Sequence, residues 1–555
     1  MSTIQSFHAS VAQDAISKVT RLFNASLDDI FAELIQNARR AGASSISIDQ
    51  VEHDTLGSAI RIADNGPGIA DPKSLFTLGQ SAWTGNTIAA EDAAGMGFFA
   101  LAGRRIHLIV QEAGTTRSWM LDADPAAFKG EMPITCASGP DYHSGMTIIV
   151  EARSDDNLVA AANRAALYCP IEVIVEGVVA EREDFLEQAH HVEVWNGIRI
   201  GLYDRSPGVF RRNSTVNFYG VTLHASLPYI TQSFHRGYYA RLDVIDCARL
   251  KLVLPARKEV VADAFFGELQ QQILRVMFQR IAASGPHSLS FSRWTEAQSL
   301  GVNLPAAAMT LRPFSPCHAD GDNNEMKRPE VVTSESLLLD SDAEPIDEQN
   351  LALALSGIDD GPMLYEPNGP FTGYAWYDAL SCVALCGYRI IAGDDEERIA
   401  AGDNALIRER PDRLFIEGEI GTVSDLIPWC LQTDVLILGS DDYCDLDEIS
   451  LCVTTSSNVT HDDLVDLLTR ALFCPSEDAE AGSYDAQLQW FTDQAEDLVI
   501  KLLESGDEAN IQAVIRVVSR ELYWLKNRDR AVTIRIDGSQ VSVTGLASET
   551  IIPAS

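Results

Sequence analysis

Basic side chains are scarce in this 555-residue sequence: 42 lysines and arginines stand against 80 aspartates and glutamates, a formal net charge of −38. The deficit is uneven, with residues 1–300 at −7 and residues 301–555 at −31. A surface that acidic repels phosphate backbones and anionic lipid, which argues against unassisted DNA, RNA or membrane binding through the C-terminal half. No apolar run approaches the roughly 20 residues of a membrane span. The opening MSTIQSFHASVAQDAISK lacks the basic-then-apolar order of a secretory leader, so a cytoplasmic protein is expected. The ten cysteines are scattered, with no C-x-x-C spacing and no nearby Cys/His set, and read as reduced thiols rather than a zinc site. No G-x-x-x-x-G-K-[ST] run occurs, which excludes a P-loop, and no internal repeat is present.

What is present is a globular composition, 46% hydrophobic, in a chain too long for one core; about three domains are expected. Helical spacing at about 8–22 and 27–41 precedes two strand-like runs, SSISIDQV and SAIRIAD. RRIHLIVQEA, RSWMLDA and GMTIIVEA then alternate as an antiparallel sheet does. Helices and an antiparallel sheet in separate runs predict an α+β domain over 1–180. A second α+β unit is expected over 181–312, from VEVWNGIRIGLY, RLKLVLPAR and the amphipathic series Phe265, Leu269, Ile273, Met277 and Ile281. The polar, acidic, proline-containing stretch 313–349 reads as a linker. Residues 350–555 read as an acidic C-terminal α+β domain for partner binding or dimerisation, ending in the hairpin VTIRIDGSQVSV turned at Asp537-Gly538.

Three short motifs carry chemistry. In FAELIQNARRAGA, Leu27, Ile30, Phe31, Leu34, Ile35 and Ala38 recur at helical spacing, Ser26 can cap the start and Gly42 can end the helix. Glu33 and Asn37 are one turn apart, so their polar heads project from the same side, beside the apolar stripe. A carboxylate there is costly without something to pair with; the same pattern also suits a solvated Glu–Asn pair. In DNGPGI, Asp64 ends a strand and Gly66 and Gly68 follow at alternate positions. Backbone can thus approach a flat ligand while the carboxylate accepts a hydrogen bond from it, although a plain turn uses the same residues. In AAGMGFFAL, Gly95 and Gly97 lead into a helix and can expose N–H groups to phosphate oxygens, or simply allow a tight helix–sheet contact.

In this order and spacing, ELIQN, DNGPGI and GMGFFAL resemble the N-box and first two glycine boxes of the GHKL ATPase superfamily. Its members include gyrase, the ninety-kilodalton heat-shock chaperones, histidine kinases and MutL-type mismatch-repair proteins. SGMTIIVE stands where the third box is expected. The resemblance covers about residues 10–180 and implies a Bergerat-type α/β sandwich that binds ATP and Mg²⁺. It implies that Asn37 holds Mg²⁺, Asp64 accepts from the adenine amino group, and Gly66 and Gly68 admit the base. Residues 70–97 become a mobile lid, with Gly95, Met96, Gly97 and Phe98 at the phosphates; Thr147 stands beside the third box, and Glu33 polarises the attacking water. By position, 181–312 resembles a transducer domain, with Arg257 or Lys258 reaching the γ-phosphate. The implied action is chaperone-like or clamp-like on a protein partner, through a nucleotide-dependent homodimer; the alternative is an ATP-gated interaction protein with negligible hydrolysis.

Three positions depart from the family pattern. Arg40 replaces a usual aspartate, Asp92 replaces a lid glycine, and Met146 replaces a threonine that here falls one residue later, at Thr147, where a strand turns it to the other face. A histidine kinase is disfavoured because Glu33 suits water activation. A topoisomerase-like nuclease would use Glu417 with the D-x-D at Asp445, against the simpler reading of acidic loops in an acidic domain.

Overall fold

A computed structural model describes residues 26–77, 97–140, 144–154, 156–204, 214–233, 236–253, 259–315, 328–340, 344–356, 358, 363–403, 410–422, 425–439, 446, 449–476, 482–503, 507, 511, 514–515, 533–537, 540–544 and 550–553. The chain divides into two compact units, Met1–Ala308 and Met309–Ser555. Among the described residues the architecture is mixed α and β, with mostly antiparallel strand pairs, as the sequence predicts. No described helix is long and apolar enough to cross a membrane.

Unit 1 begins with helix α1, Leu27–Arg40. The Ser26 hydroxyl accepts from the Asp29 N–H, and Asp28 and Asp29 in the first turn with Arg39 and Arg40 in the last complement the helix dipole. Gly42, at φ +83°, lets the chain leave in a conformation that other side chains disfavour. The predicted stripe from Leu27 to Ala38 is buried in one cluster with Ile46, Ile48, Ile60, Ile62, Leu108, Ile148 and Val150. At roughly 1.5–3 kcal/mol per large side chain, this burial, rather than helix propensity, fixes α1 on the sheet.

That sheet contains β1 (Ser45–His53), β2 (Gly57–Asp64), β3 (Ile106–Gln111), β4 (Ser118–Ala123), β5 (Cys136–Ser138), β6 (Gly145–Glu151), β7 (Glu172–Val175) and β8 (Val178–Val179). Its order is β5-β4-β3-β6-β2-β1-β7-β8, antiparallel except where β1 pairs with β7. Helix α2, Leu158–Ala166, packs beside α1, and Arg164 holds Asp28 at 2.8 Å.

A second sheet in unit 1 has the order β12-β11-β14-β10-β9, with β13 paired to β14. Its strands are β9 (His191–Trp195), β10 (Ile198–Tyr203), β11 (Val216–Phe218), β12 (Val221–Leu223), β13 (Ile230–Ser233) and β14 (Arg236–Val244). Asn196 and Gly197, both at positive φ, turn the β9–β10 hairpin. Helix α3, Ala264–Ser284, is capped by Asp263 and buries the predicted Phe265, Leu269, Ile273, Met277 and Ile281; α4, Phe291–Ser299, follows. Within RLKLVLPAR the described part makes one isolated bridge, Leu252 to Val260, and Arg257 and Lys258 lie outside the described residues.

Unit 2 opens with the short pair β15 (Thr310–Leu311) and β16 (Glu330–Val331). Its main sheet runs β18-β17-β19-β21-β22, with β20 on β19, from strands β17 (Leu337–Leu339), β18 (Leu364–Tyr365), β19 (Ser381–Ala392), β20 (Asp395–Ala400), β21 (Arg413–Thr422) and β22 (Asp425–Thr433). Helix α5, Pro345–Ser356, the pair β23 (Val435–Leu438) and β24 (Ser450–Val453), and helices α6 (His461–Leu472) and α7 (Tyr484–Leu503) complete the packing. Much of 313–349, read as a linker, is thus folded: Leu338 and Leu339 are buried, and three leucines suffice for a short interior strand despite polar surroundings. Glu417, considered for a metal, lies on β21 with Arg389 at 2.6 Å and Arg398 at 3.5 Å, an ion-pair role; Asp445 lies outside the described residues. A last sheet holds β25 (Thr533–Asp537), β26 (Gln540–Thr544) and β27 (Thr550–Pro553), with Asp537 opposite Gln540 as the predicted hairpin requires.

A buried polar network joins these elements. Asn350 donates to the Ile437 carbonyl (2.7 Å) and to the Tyr388 hydroxyl (3.0 Å), and Tyr388 donates to Asp347. Burial pushes the Asp347 carboxyl above its ordinary range, more than the Tyr388 bond lowers it. The folded state therefore holds this proton more tightly than the unfolded chain does, a stabilisation fully present below about pH 4 and lost as pH rises through the folded-state value. Asp347→Asn keeps an acceptor for Tyr388 without a charge. Its melting temperature is expected to exceed wild type at neutral pH and to converge with it below about pH 4, as followed by tryptophan fluorescence.

Candidate functional site

The C-terminal end of α1, the end of β2 and the start of β6 meet at one end of the central strands of the first sheet. β2 carries Ile60, Ile62 and Asp64 on the face that α1 covers, so the last residue of that apolar series is a carboxylate, 7% exposed. Its Oδ1 accepts the Gly66 N–H at 2.8 Å. A Cβ at Gly66 would stand 2.9 Å from that oxygen and 3.6 and 3.7 Å from the methyls of Ala41 and Ala43, the exit of α1. Ala41 in turn donates its N–H to the Asn37 carbonyl. Asp64 and Gly66 therefore meet the exit of α1, and Asn37 and half-buried Glu33 lie one and two turns back along that helix.

The loop after Asp64 is pinned on both sides. Asn65 accepts the N–H groups of Ser44 and Ser45 (2.9 and 3.1 Å) and donates to the Ser44 hydroxyl. Pro67 O accepts from Ala113, and Trp119 Nε1 reaches Ile69 O at 2.8 Å. Gly68 has φ +75°, and a side chain there would fall 2.6 Å from the Gln111 carbonyl. Gly145, at φ +123°, packs so closely that a Cβ would lie 2.0 Å from the Asp64 carbonyl. Asn65, Trp119 and Gly145 are support that sequence reasoning missed; the glycine of SGMT was the one available signal.

Two expected site residues lie elsewhere. Thr147 is paired with Ala63 and Ile109, on the face opposite Asp64; Met146, half-buried against the core, takes the Asp64 side of the strand. Phe98, expected at the phosphates, is 5% exposed, with its ring against Phe76 and Phe128; an aromatic of that size gains more from core packing. Gly97 begins a short 3-10 helix, Gly97–Leu101. Gly95, Met96 and Asp92 lie outside the described residues. Among the described residues no three His, Cys, Asp or Glu side chains form a metal-holding group.

Arg40, at the position of the expected aspartate, bridges two amides: Nη2 donates to Gln36 Oε1 at 2.9 Å and Nη1 to Asn37 Oδ1 at 3.4 Å. Gln36 Nε2 donates to the Phe218 carbonyl of β11 at 3.2 Å, and the Arg39 guanidinium lies 4.2 Å above the Tyr219 ring. Beside that contact is a cleft of about 410 Å³ lined by Arg39, Arg199, Asn217, Tyr219 and Asp243 among others. Its charges are largely used on one another: Arg199 bonds Asp184 (3.0 Å) and Asp243 (2.7 Å), and this pairing holds the Asp184 carboxyl below its ordinary range.

No protein-family profile matches this chain, and no curated protein does. Among solved structures, one titled as the crystal structure of the N-terminal domain of a DNA repair protein is similar over 30% of this chain and 53% of its own, about half its length, at 18% identity and a TM-score of 0.20, a likeness that carries no argument about function.

Proposed function

We propose that unit 1 is a Mg²⁺-dependent ATP site of the GHKL type, on a Bergerat-type sandwich, and that it hydrolyses ATP to ADP and phosphate. The observation that carries this reading is the meeting of Asp64, Gly66 and the exit of α1: a buried carboxylate at the end of a central strand, beside glycine backbone, with Asn37 and Glu33 one and two turns back along α1. Asp64 accepts from the adenine amino group, and Gly66 and Gly68 leave room for the flat base. Asn37 would offer Mg²⁺ an amide oxygen, a hard donor suited to it. The metal supplies charge neutralisation at the phosphates. Glu33 orients water and takes its proton as the oxygen attacks the γ-phosphorus and the bond to the β-phosphate oxygen breaks. The resemblance assigns Gly95, Met96 and Gly97 to the phosphates and Arg257 or Lys258 to the γ-phosphate; of these only Gly97 is among the described residues.

Lid closure and dimerisation would pass the ATP state to the acidic unit 2 in a chaperone-like or clamp-like action on a protein partner. Such a switch needs contacts made only to the γ-phosphate. Titration of the full chain with a fluorescent ATP analogue tests the site. Light scattering is expected to show the mass doubling with a non-hydrolysable analogue and Mg²⁺ and returning with ADP; one mass in all states would count against the clamp.

A further inference from the structure

Among the described residues, an apolar face of unit 2 is only partly covered. Across β19, β21 and β22 the register sets Val383, Ile420 and Ile427 in one row and Leu385, Gly418 and Trp429 in the next, on the sheet face that α5 packs against. A Cβ at Gly418 would stand 2.7 Å from Trp429 Nε1, so the indole lies across the sheet on bare backbone. Between the end of α5 and these rows is a pocket of about 200 Å³, walled by Leu337, Leu351, Leu355, Leu364, Val383 and Trp429 among others, and none of the described side chains lining it is charged. The apolar face runs on past it: Ile358 at the mouth is 39% exposed and Ile427 59%. Most of the walls come from residues 329–388, a stretch with eleven aspartates and glutamates and no lysine, arginine or histidine. Within it Glu366 meets Arg312 at 3.4 Å and Asp347 belongs to the buried network. Arg389, the next cation along the chain, is bound to Glu417 at 2.6 Å, and Glu417 neighbours Gly418 on β21 and so takes the other face. The stretch that walls the pocket therefore sets a negative potential around it.

We propose that this pocket is the socket for one apolar side chain of a protein partner, flanked in that partner by lysines or arginines. The inference rests on the reading of unit 2 as the partner-binding part of the chain and is independent of the ATP site. An apolar cavity of about 150 Å³ holds a benzene ring, so this pocket takes a phenylalanine or leucine side chain. Binding energy at protein interfaces concentrates in such anchors, each buried in a pocket and ringed by weaker contacts that exclude water. Ile358 and Ile427 supply apolar surface for that ring. An uncharged lining gives a buried cation no counter-ion. The partner's charges therefore belong beside the anchor, in solvent, where the acidic stretch attracts them and speeds encounter. A second copy of this chain is a poor occupant, because it would bring the same negative charge to the contact.

The test adds end-blocked pentapeptides to the full chain, without nucleotide, and follows the indole N–H signals of isotope-labelled tryptophan by magnetic resonance. The Trp429 signal is the one missing from Trp429→Phe. A phenylalanine between two pairs of lysines is expected to shift it saturably. With alanine in place of the phenylalanine, affinity should fall at least about tenfold, because no large apolar side chain leaves water. With glutamates in place of the lysines it should fall at least about threefold, and rising salt should narrow that gap. Leu355→Trp fills the pocket and Ile358→Trp blocks its mouth; each, shown to be folded by circular dichroism, should weaken the lysine–phenylalanine peptide at least about tenfold. Equal affinity for the phenylalanine and alanine peptides, or undiminished binding in a folded blocking variant, overturns the socket. A glutamate- or serine-flanked phenylalanine that binds as tightly as the lysine-flanked one overturns the basic partner. No shift with any peptide overturns the pocket as a docking site and leaves the ATP site, which has its own titration, standing.

Discussion

Asp64→Asn is expected to weaken ATP-analogue binding by between about tenfold and about 150-fold, the equivalent of the 1.5–3 kcal/mol carried by a hydrogen bond to a charged group. The substitution is nearly isosteric, so the Gly66 N–H keeps an oxygen to donate to and the loop keeps its other anchors at Ser44, Ala113 and Trp119. What changes is the atom offered to the base: an N–H₂ donor faces the adenine amino donor, and both are left unsatisfied in a buried place. Asp64 packs at the end of a sheet whose core contacts the variant does not touch, so the melting temperature should move little. Fluorescence titration of the folded variant checks this, and wild-type affinity would remove Asp64 from the pocket.

The second large effect separates binding from turnover. Glu33→Ala is expected to leave analogue affinity nearly intact and to lower phosphate release by about 100- to 10,000-fold, the usual contribution of a positioned base. Glu33 lies on the Asn37 side of α1, one turn from it, and outside the Asp64–Gly66 contact proposed to receive the base. Asn37→Ala should instead weaken Mg²⁺-dependent binding, since it removes the amide oxygen itself. Steady-state phosphate release and affinity, measured in parallel on wild type and both variants, distinguish these cases. A Glu33→Ala protein that turns over at the wild-type rate means the helix face is misread. Tight binding by a wild type that releases no phosphate favours the ATP-gated interaction protein.

How far the sequence could be read depends on what each element uses to define itself. Helix α1 was legible to within a residue because its stripe, its Ser26 cap and Gly42 agree. Glycines at alternate positions after a strand marked the Asp64 loop, whereas its contact with Ala41 and Ala43 at the end of α1 belongs to tertiary structure. Thr147 was expected at the site despite a one-residue offset, and the register settled which face it takes. Phe98 shows the opposite failure: membership of a motif said nothing of whether its ring or its backbone was required there. The network of Asp347, Asn350 and Tyr388 had no local signature, because its bonds join residues far apart in the chain. Arg40 was visible as an odd residue; its two amide partners and the reach of Gln36 to Phe218 belong to tertiary structure.

The parallel pairing of β1 with β7 also sets a timetable. Ile46 and Ile48 find their partners Val173 and Val175 only when the chain has grown roughly 130 residues further, and at about 5–20 residues per second that is a wait of roughly 6–25 s on the ribosome. Through that interval α1 and the β1–β2 hairpin can form locally, but the sheet that receives them is incomplete. Asp64 gains Gly145 as a neighbour late in the same interval. The pocket is thus among the last parts of the first sheet to be assembled during synthesis, and a nascent chain stalled before β6 would carry the motif without the site.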